Sequence, residues 1–272
     1  MSGVSSLSGL NIGLLFGGSS SDNNGILGIL SGGGGSASAT NPVTALTSAE
    51  INGTKDIAAT AKQPEVARDI ATFTKAVTGA TSVTQLLANP TVMKVLLTAN
   101  GLGSQIQYTA LAQKALMSDL TNLKSVANQL KTTNSAWASA AQTYQFAAKG
   151  LSVIQKPSVL STITNAYAEV TWRDSLDVTT PGLSNALSFR SKAATVTSVD
   201  QVLGDPILRD VVTTALGLPR QIAIQPLSTQ ETAITSRLDI KQLKDPKFVE
   251  RFVQRYLLAK GSNGPGGSSL VV

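Results

Sequence analysis

Cysteine and histidine are both missing from this chain of 272 residues. Their absence excludes disulfides, thiol nucleophiles, zinc fingers and imidazole bases, and with them the commonest metal ligands. A chain without cysteine also suits passage through an oxidising space. Aromatic residues make up 4% and charged residues 14%. Small and polar residues fill the gap, giving a polar, weakly charged surface suited to contact with partners. No apolar run reaches the length of about 20 residues that spanning a bilayer requires, so no transmembrane segment is expected. The apolar stretches 10–16 and 26–30 are short and broken by glycine. The first charge is Asp22 and the first lysine Lys55, so the start lacks the positive region of a secretory signal.

What is present in excess is positive charge, with a net of +6. Between Arg237 and Lys260 there are seven Lys/Arg against three acids, Asp239, Asp245 and Glu250. The two signs alternate with apolar residues, the pattern of a solvated helix face rather than of a nucleic-acid footprint. No nucleic acid is expected as a partner.

The chain also contains itself twice. Residues 81–106 (TSVTQLLANPTVMKVLLTANGLGSQI) align without a gap to residues 197–222 (TSVDQVLGDPILRDVVTTALGLPRQI), with 13 of 26 positions identical. Phe73 and Phe189 keep the same offset upstream. Repetition at this scale means two copies of one structural unit. In each copy an Asx-Pro pair, Asn89-Pro90 or Asp205-Pro206, supplies a cap acceptor and a proline at the first helical position. Gly101 and Gly217 stand where a helix ends in a left-handed residue. Each copy therefore predicts a helix of about 11 residues, preceded by a shorter one capped by Thr or Ser. Residues 111–120 and 229–238 read as the next helix of each copy, offset by a two-residue insertion.

Asp245-Pro246 opens a last helix with the stripe Phe248, Val249, Phe252, Val253, Tyr256 and Leu257. Its expected counterpart in copy one is 136–148, where Gln142-x-Tyr144 answers Gln254-x-Tyr256. Residues 157–173 form a linking helix with Val159, Leu160, Ile163, Tyr167 and Val170 on one face. The fold class is all-α, two related helical units forming a bundle-like body with Gly/Ser-rich flexible ends. The expected division is a low-complexity arm over 1–60, copy one over 61–150, linking helices and copy two over 151–260, and a tail over 261–272.

The residues that might carry chemistry read as structural. Asp205 and Asp245 cap helices. Asp210 follows just after such a cap. Asp174 with Arg173 suggests half of an ion-pair cluster with Arg190. Trp137, Trp172, Tyr144 and Tyr256 lie within helical apolar patterns and read as core. Gly32–Gly35 lacks the Lys-Ser/Thr end of a phosphate loop and reads as linker. No serine sits in a Gly-x-Ser-x-Gly elbow. No catalytic, cofactor-binding or metal-ligating residue is expected, and no cofactor.

Residues 171–193 (TWRDSLDVTTPGLSNALSFRSKA), 197–219 and 243–259 (LKDPKFVERFVQRYLLA) resemble an uncharacterised alphaproteobacterial family, a domain of unknown function commonly encoded among flagellar genes. Residues 86–120 resemble its other half, so the likeness spans about 60–260. It implies a non-enzymatic structural or assembly component of the bacterial flagellum. The implied partners are other flagellar or assembly proteins, with homo-oligomers open. The alternative is a cytoplasmic chaperone or regulator of flagellar assembly. The Ser/Asn-rich start, 1–24, is similar to the uncleaved export segments of type III flagellar substrates. It implies a place in the flagellum or cell envelope after export, against the cytoplasm for the alternative.

Overall fold

The computed structural model describes residues 41–262. Among them the chain is helical, with connecting turns and no strand, as the all-α expectation requires. Gly32–Gly35, most of the expected arm and most of the expected tail lie outside the described residues.

The helices are α1 (Pro42–Ala61), α2 (Pro64–Gly79), α3 (Val83–Leu87), α4 (Pro90–Ala99), α5 (Thr109–Leu116), α6 (Val126–Leu130), α7 (Ala136–Tyr144), α8 (Phe146–Lys149), α9 (Pro157–Leu176), α10 (Leu183–Ala193), α11 (Val199–Leu203), α12 (Pro206–Ala215), α13 (Leu227–Thr235) and α14 (Pro246–Ser262). Short 3-10 turns precede α5, α13 and α14.

The repeat is built by the same local chemistry twice. Asn89 Oδ1 accepts from the Thr91 and Val92 amides at 2.9 and 3.2 Å, and Asp205 Oδ1 from the Ile207 and Leu208 amides at 2.8 and 3.1 Å. Each side chain thus satisfies two amides that a helix start leaves unpaired. Gly101 and Gly217 have φ of 70° and 65°. Beyond them the Leu102 amide reaches back to the Leu97 carbonyl and that of Leu218 to the Thr213 carbonyl, the six-to-one bond of a Schellman stop. Ser82 and Ser198 cap the short helices, and Gln85 and Gln201 fold back onto the amides of Thr81 and Thr197.

Two apolar cores result. The first gathers Phe73, Val77, Leu87, Val95 and Leu96 with Trp137, Tyr144, Ile163 and Tyr167. The second gathers Phe189, Val211, Val212, Phe252, Tyr256 and Leu257 with Trp172. Phe73 and Phe189 are both fully buried, and a side chain of that size contributes about 1.5–3 kcal/mol by leaving water.

Three expectations are corrected here. The arm expected over 1–60 gives way at Pro42: Asn41 caps α1, accepting from the Val43 amide at 2.9 Å. Leu46 and Ala49 of α1 enter the second core, and a Cβ on Gly53 would lie 3.3 Å from the Trp172 ring. The helix is held by this tertiary burial, which its local composition does not announce.

The counterpart of α14 is α9, not residues 136–148. Pro157, Leu160, Ile163, Tyr167 and Ala168 match Pro246, Val249, Phe252, Tyr256 and Leu257 at one offset, and the last four of each set are buried. A shared Gln-x-Tyr is two residues, whereas a whole buried face is what a core selects. The expected break at 150 therefore falls inside copy one, whose core continues through Ile154 to Ala168. Helices α6 to α8 are then an insertion in copy one without a helical counterpart in copy two.

Candidate functional site

Two clusters of ionisable groups stand at equivalent places in the two copies. In copy one, Tyr167 Oη donates to Asp69 Oδ2 at 2.6 Å and Lys94 Nζ lies 2.8 Å from the same oxygen. In copy two, Asp210 accepts from Tyr256 Oη at 2.8 Å, Asn185 Nδ2 at 2.9 Å and Lys260 Nζ at 2.9 Å. Asp69 corresponds to Asn185, and Lys94 to Asp210, by the offset that aligns the repeats. The tyrosines sit on the corresponding helices α9 and α14.

The electrostatics follow from burial against donors. Burial pushes the Asp69 carboxyl up, but the Lys94 and Tyr167 hydrogen bonds outweigh it and hold it below the usual range. Asp210 is lowered in the same way, burial opposing and Lys260, Tyr256 and Asn185 prevailing. Burial and the Asp69 carboxylate push the Tyr167 phenol up to about 12. The Tyr256 phenol is raised further, by burial and then by Asp210. A tyrosine held this strongly neutral is a hydrogen-bond donor, not a base. Every carboxylate in the two clusters is matched by a cation and by neutral donors, so the clusters lock helices together.

The sequence candidates fall as follows. Asp205 caps α12 and also meets Lys192 at 2.7 Å. Asp245 Oδ1 accepts from the Lys247 amide at 3.0 Å. Trp137 and Tyr144 lie in the first core, and Trp172 and Tyr256 in the second. The Arg173–Asp174–Arg190 cluster does not form. Arg190 pairs with Glu50 of α1 at 2.5 Å, while Arg173 pairs with Glu169 one turn back on its own helix. Asp174 and its neighbour Asp177 turn to the start of α10. Asp177 Oδ1 accepts from the Ser184 amide at 2.8 Å, supplying the cap that Gly182 cannot. Burial pushes both carboxyls up.

The Asp210 and Asp69 clusters escaped sequence reading because each joins residues far apart in the chain. A signal existed: Asp69/Asn185 and Lys94/Asp210 are polar in both copies at matching positions inside helices.

A cleft of about 670 Å³ is lined by Asn100, Arg173, Asp174, Asn185 and Lys192 among others. Arg173 pairs with Glu169, Lys192 with Asp205, and Asp174 accepts from Ser184 Oγ at 3.4 Å. Arg173 Nη1 donates to Ser188 Oγ at 3.0 Å, and its Nε is buried without a hydrogen-bond partner among the described residues. No group of three or more Asp/Glu that could hold a metal ion occurs among the described residues, and no described helix is long and apolar enough to cross a membrane.

The fold also leaves some large apolar side chains open. Tyr108 and Leu111 are 52% and 38% exposed at the entry to α5, and Ile224 and Leu227 are 84% and 57% exposed at the entry to α13. The same junction of the repeat thus presents large hydrophobic side chains in both copies. Isolated exposed leucines are ordinary, but clustered ones mark contact surfaces.

No curated protein matches this chain. A crystal structure of a protein from Agrobacterium tumefaciens, AGR_C_984, is similar, with a TM-score of 0.68 and 23% identity. The match covers 85% of this chain and 99% of that one, and it shows a shared fold. Residues 99–249 match the family described as protein of unknown function, DUF1217, and the chain therefore belongs to the DUF1217 family.

Proposed function

We propose that this protein is a non-enzymatic structural or assembly component associated with the bacterial flagellum, acting through protein–protein contacts. The observation that carries the contact role is the pair of exposed apolar junctions, Tyr108/Leu111 and Ile224/Leu227, set on a body where Asp69 and Asp210 lock helices together. Exposed apolar side chains gain by being covered. The flagellar placement rests on the resemblance of residues 60–260 to a family commonly encoded among flagellar genes.

A second reading, a cytoplasmic chaperone or regulator of flagellar assembly, is favoured by α14. Lys247, Arg251 and Arg255 recur every fourth residue along its exposed side, a row that suits an acidic partner.

Fractionation separates the two. An epitope belongs beside Leu123, which is 84% exposed. The turn around Thr179 is unsuitable because Thr180 is buried and Gly182 lies against Tyr256. Recovery with hook–basal bodies only when flagellar export works is the expected result. A cytosolic pool whether export works or is disabled, with normal motility on deletion, would sink the structural role.

A further inference from the structure

The repeat supplies its own comparison for one surface. In copy two, a groove of about 740 Å³ runs between α10, α11 and the start of α12, lined by Lys192, Thr195, Val196, Gln201 and Asp205. The chain itself builds one side of it. The turn from α6 into α7, part of the insertion in copy one, brings Lys131, Thr132, Ser135 and Ser139 to its wall. The Ser135 amide donates to the Gly204 carbonyl at 2.8 Å. A carbonyl left over at the end of α11 is thereby satisfied by an amide left over at the start of α7.

Copy one has the same groove. Ala76, Gly79, Ala80, Gln85 and Asn89 line a cavity of about 340 Å³. These five are the counterparts, at the repeat offset, of the five residues named in copy two. Among the described residues no segment from outside 72–89 walls it, because copy two has no insertion like α6 to α8. Ala88, the counterpart of Gly204, is exposed, and among the described residues no hydrogen bond reaches its carbonyl. A Cβ on Gly79 would meet nothing within 4 Å.

The charge differs in a way that defines the occupant. The copy-two groove holds the Lys192–Asp205 pair at 2.7 Å. Copy one has Ala76 and Asn89 in their places. Lys75 is left as the one charged residue lining its groove, exposed and with no ion pair among the described residues.

We infer that the copy-one groove between α2, α3 and α4 is a docking site for a partner protein's helix-initiating turn. That turn is rich in Ser, Thr or Asn and carries a carboxylate in its first helical residues. Its leading amide donates to the Ala88 carbonyl as Ser135 does to Gly204, and its carboxylate meets Lys75. An acidic first turn also suits the positive end of its own helix. The equivalent segment of a second copy of this chain is already engaged in its own copy-two groove, and the first turn of its helix α7 holds no acid. The inference deepens the contact role proposed above and rests on it.

The test uses the full chain in its own cells, with a photo-crosslinking amino acid in place of the exposed Thr72 on the groove wall. Illumination should give an adduct with one protein, mapped by mass spectrometry to an acid-bearing Ser/Thr/Asn turn at a helix start. Gly79→Trp fills the groove from a position with room for a side chain. It should leave the unfolding midpoint unchanged and reduce the adduct at least tenfold. No adduct overturns the proposal, as does an adduct that survives Gly79→Trp or one with a second copy of this chain. If the tagged protein still fractionates with hook–basal bodies in any of those cases, the groove assignment falls alone.

Discussion

Lys94 and Asp210 occupy the same station on the same helix of the repeat and carry opposite charges. Lys94 answers Asp69 and Glu65 on α2, and Asp69 in turn accepts from Tyr167 on α9. Asp210 answers Asn185 on α10, with Tyr256 and Lys260 on α14. The geometry of three helices joined at one polar point has been kept while its charges moved.

Exchanging the charges tests this directly. Asp210→Lys alone places a second cation beside Lys260 and should cost about 2–4 kcal/mol, as breaking a part-buried pair does. The triple variant Asn185→Asp, Asp210→Lys, Lys260→Thr rebuilds the copy-one arrangement, with Thr matching Thr171. It should recover most of the loss, because the three sites are in contact and not additive. Urea midpoints of the single and triple variants decide it.

Stability should fall at both extremes of pH, for opposite reasons. Asp69 and Asp210 are held below their ordinary value of 3.8. Their contribution is present above that value and is lost as pH falls through the lowered folded values. Tyr167, raised from 10.0 to about 12, contributes stability that is complete below 10.0 and fades towards 12. Lys94 is also raised, first by its hydrogen bond to Asp69, and adds to the same alkaline loss. Asp174 opposes the acid-side trend of Asp69 and Asp210. Burial raises it, so folding weakens as pH climbs from its ordinary value through its raised one. Denaturation midpoints against pH for the native protein and for Asp174→Asn test the signs. The variant should flatten the decline just above 3.8.

Gly182→Ala should be severe for a small substitution. Its φ is 89°, and a Cβ would lie 2.9 Å from Tyr256 Oη. Strain in the turn adds to displacement of the phenol that serves Asp210, so a loss of about 2 kcal/mol or more is expected. Gly79→Ala, where a Cβ meets nothing, should be neutral or mildly stabilising. Thermal unfolding of the two variants side by side is the measurement.

Helix α1 should behave as part of the body. Leu46 is 2% exposed within the second core, and Leu46→Ala should cost about 2–5 kcal/mol. An unchanged midpoint would return residues 42–60 to the status of an arm.

Tyr108→Asp with Ile224→Asp should leave the unfolding midpoint within about 0.5 kcal/mol of native, since both side chains are open to solvent. The same double variant should lower recovery of the protein with hook–basal bodies. Recovery at the native level would remove the apolar junctions from the contact surface.

The helices of the repeat were legible in the sequence because their limits are local. Asn89, Asp205, Gly101 and Gly217 each act on backbone groups a few residues away, and a two-fold repeat states the rule twice. Cores of leucine, valine and phenylalanine at helical spacing were legible for the same reason. Only the tertiary structure decided the rest. Helix α1 lacks a strong apolar stripe and is ordered by Trp172 and the second core. Helix α9 was assigned to copy one by which core its face enters, something two residues of Gln-x-Tyr cannot convey. Tyr167 meets Asp69, and Tyr256 meets Asp210, across long stretches of chain. Contacts of that range leave no periodic trace, because their partners are chosen by where the packed helices cross. Local signals therefore determined the elements, and burial determined how the elements meet.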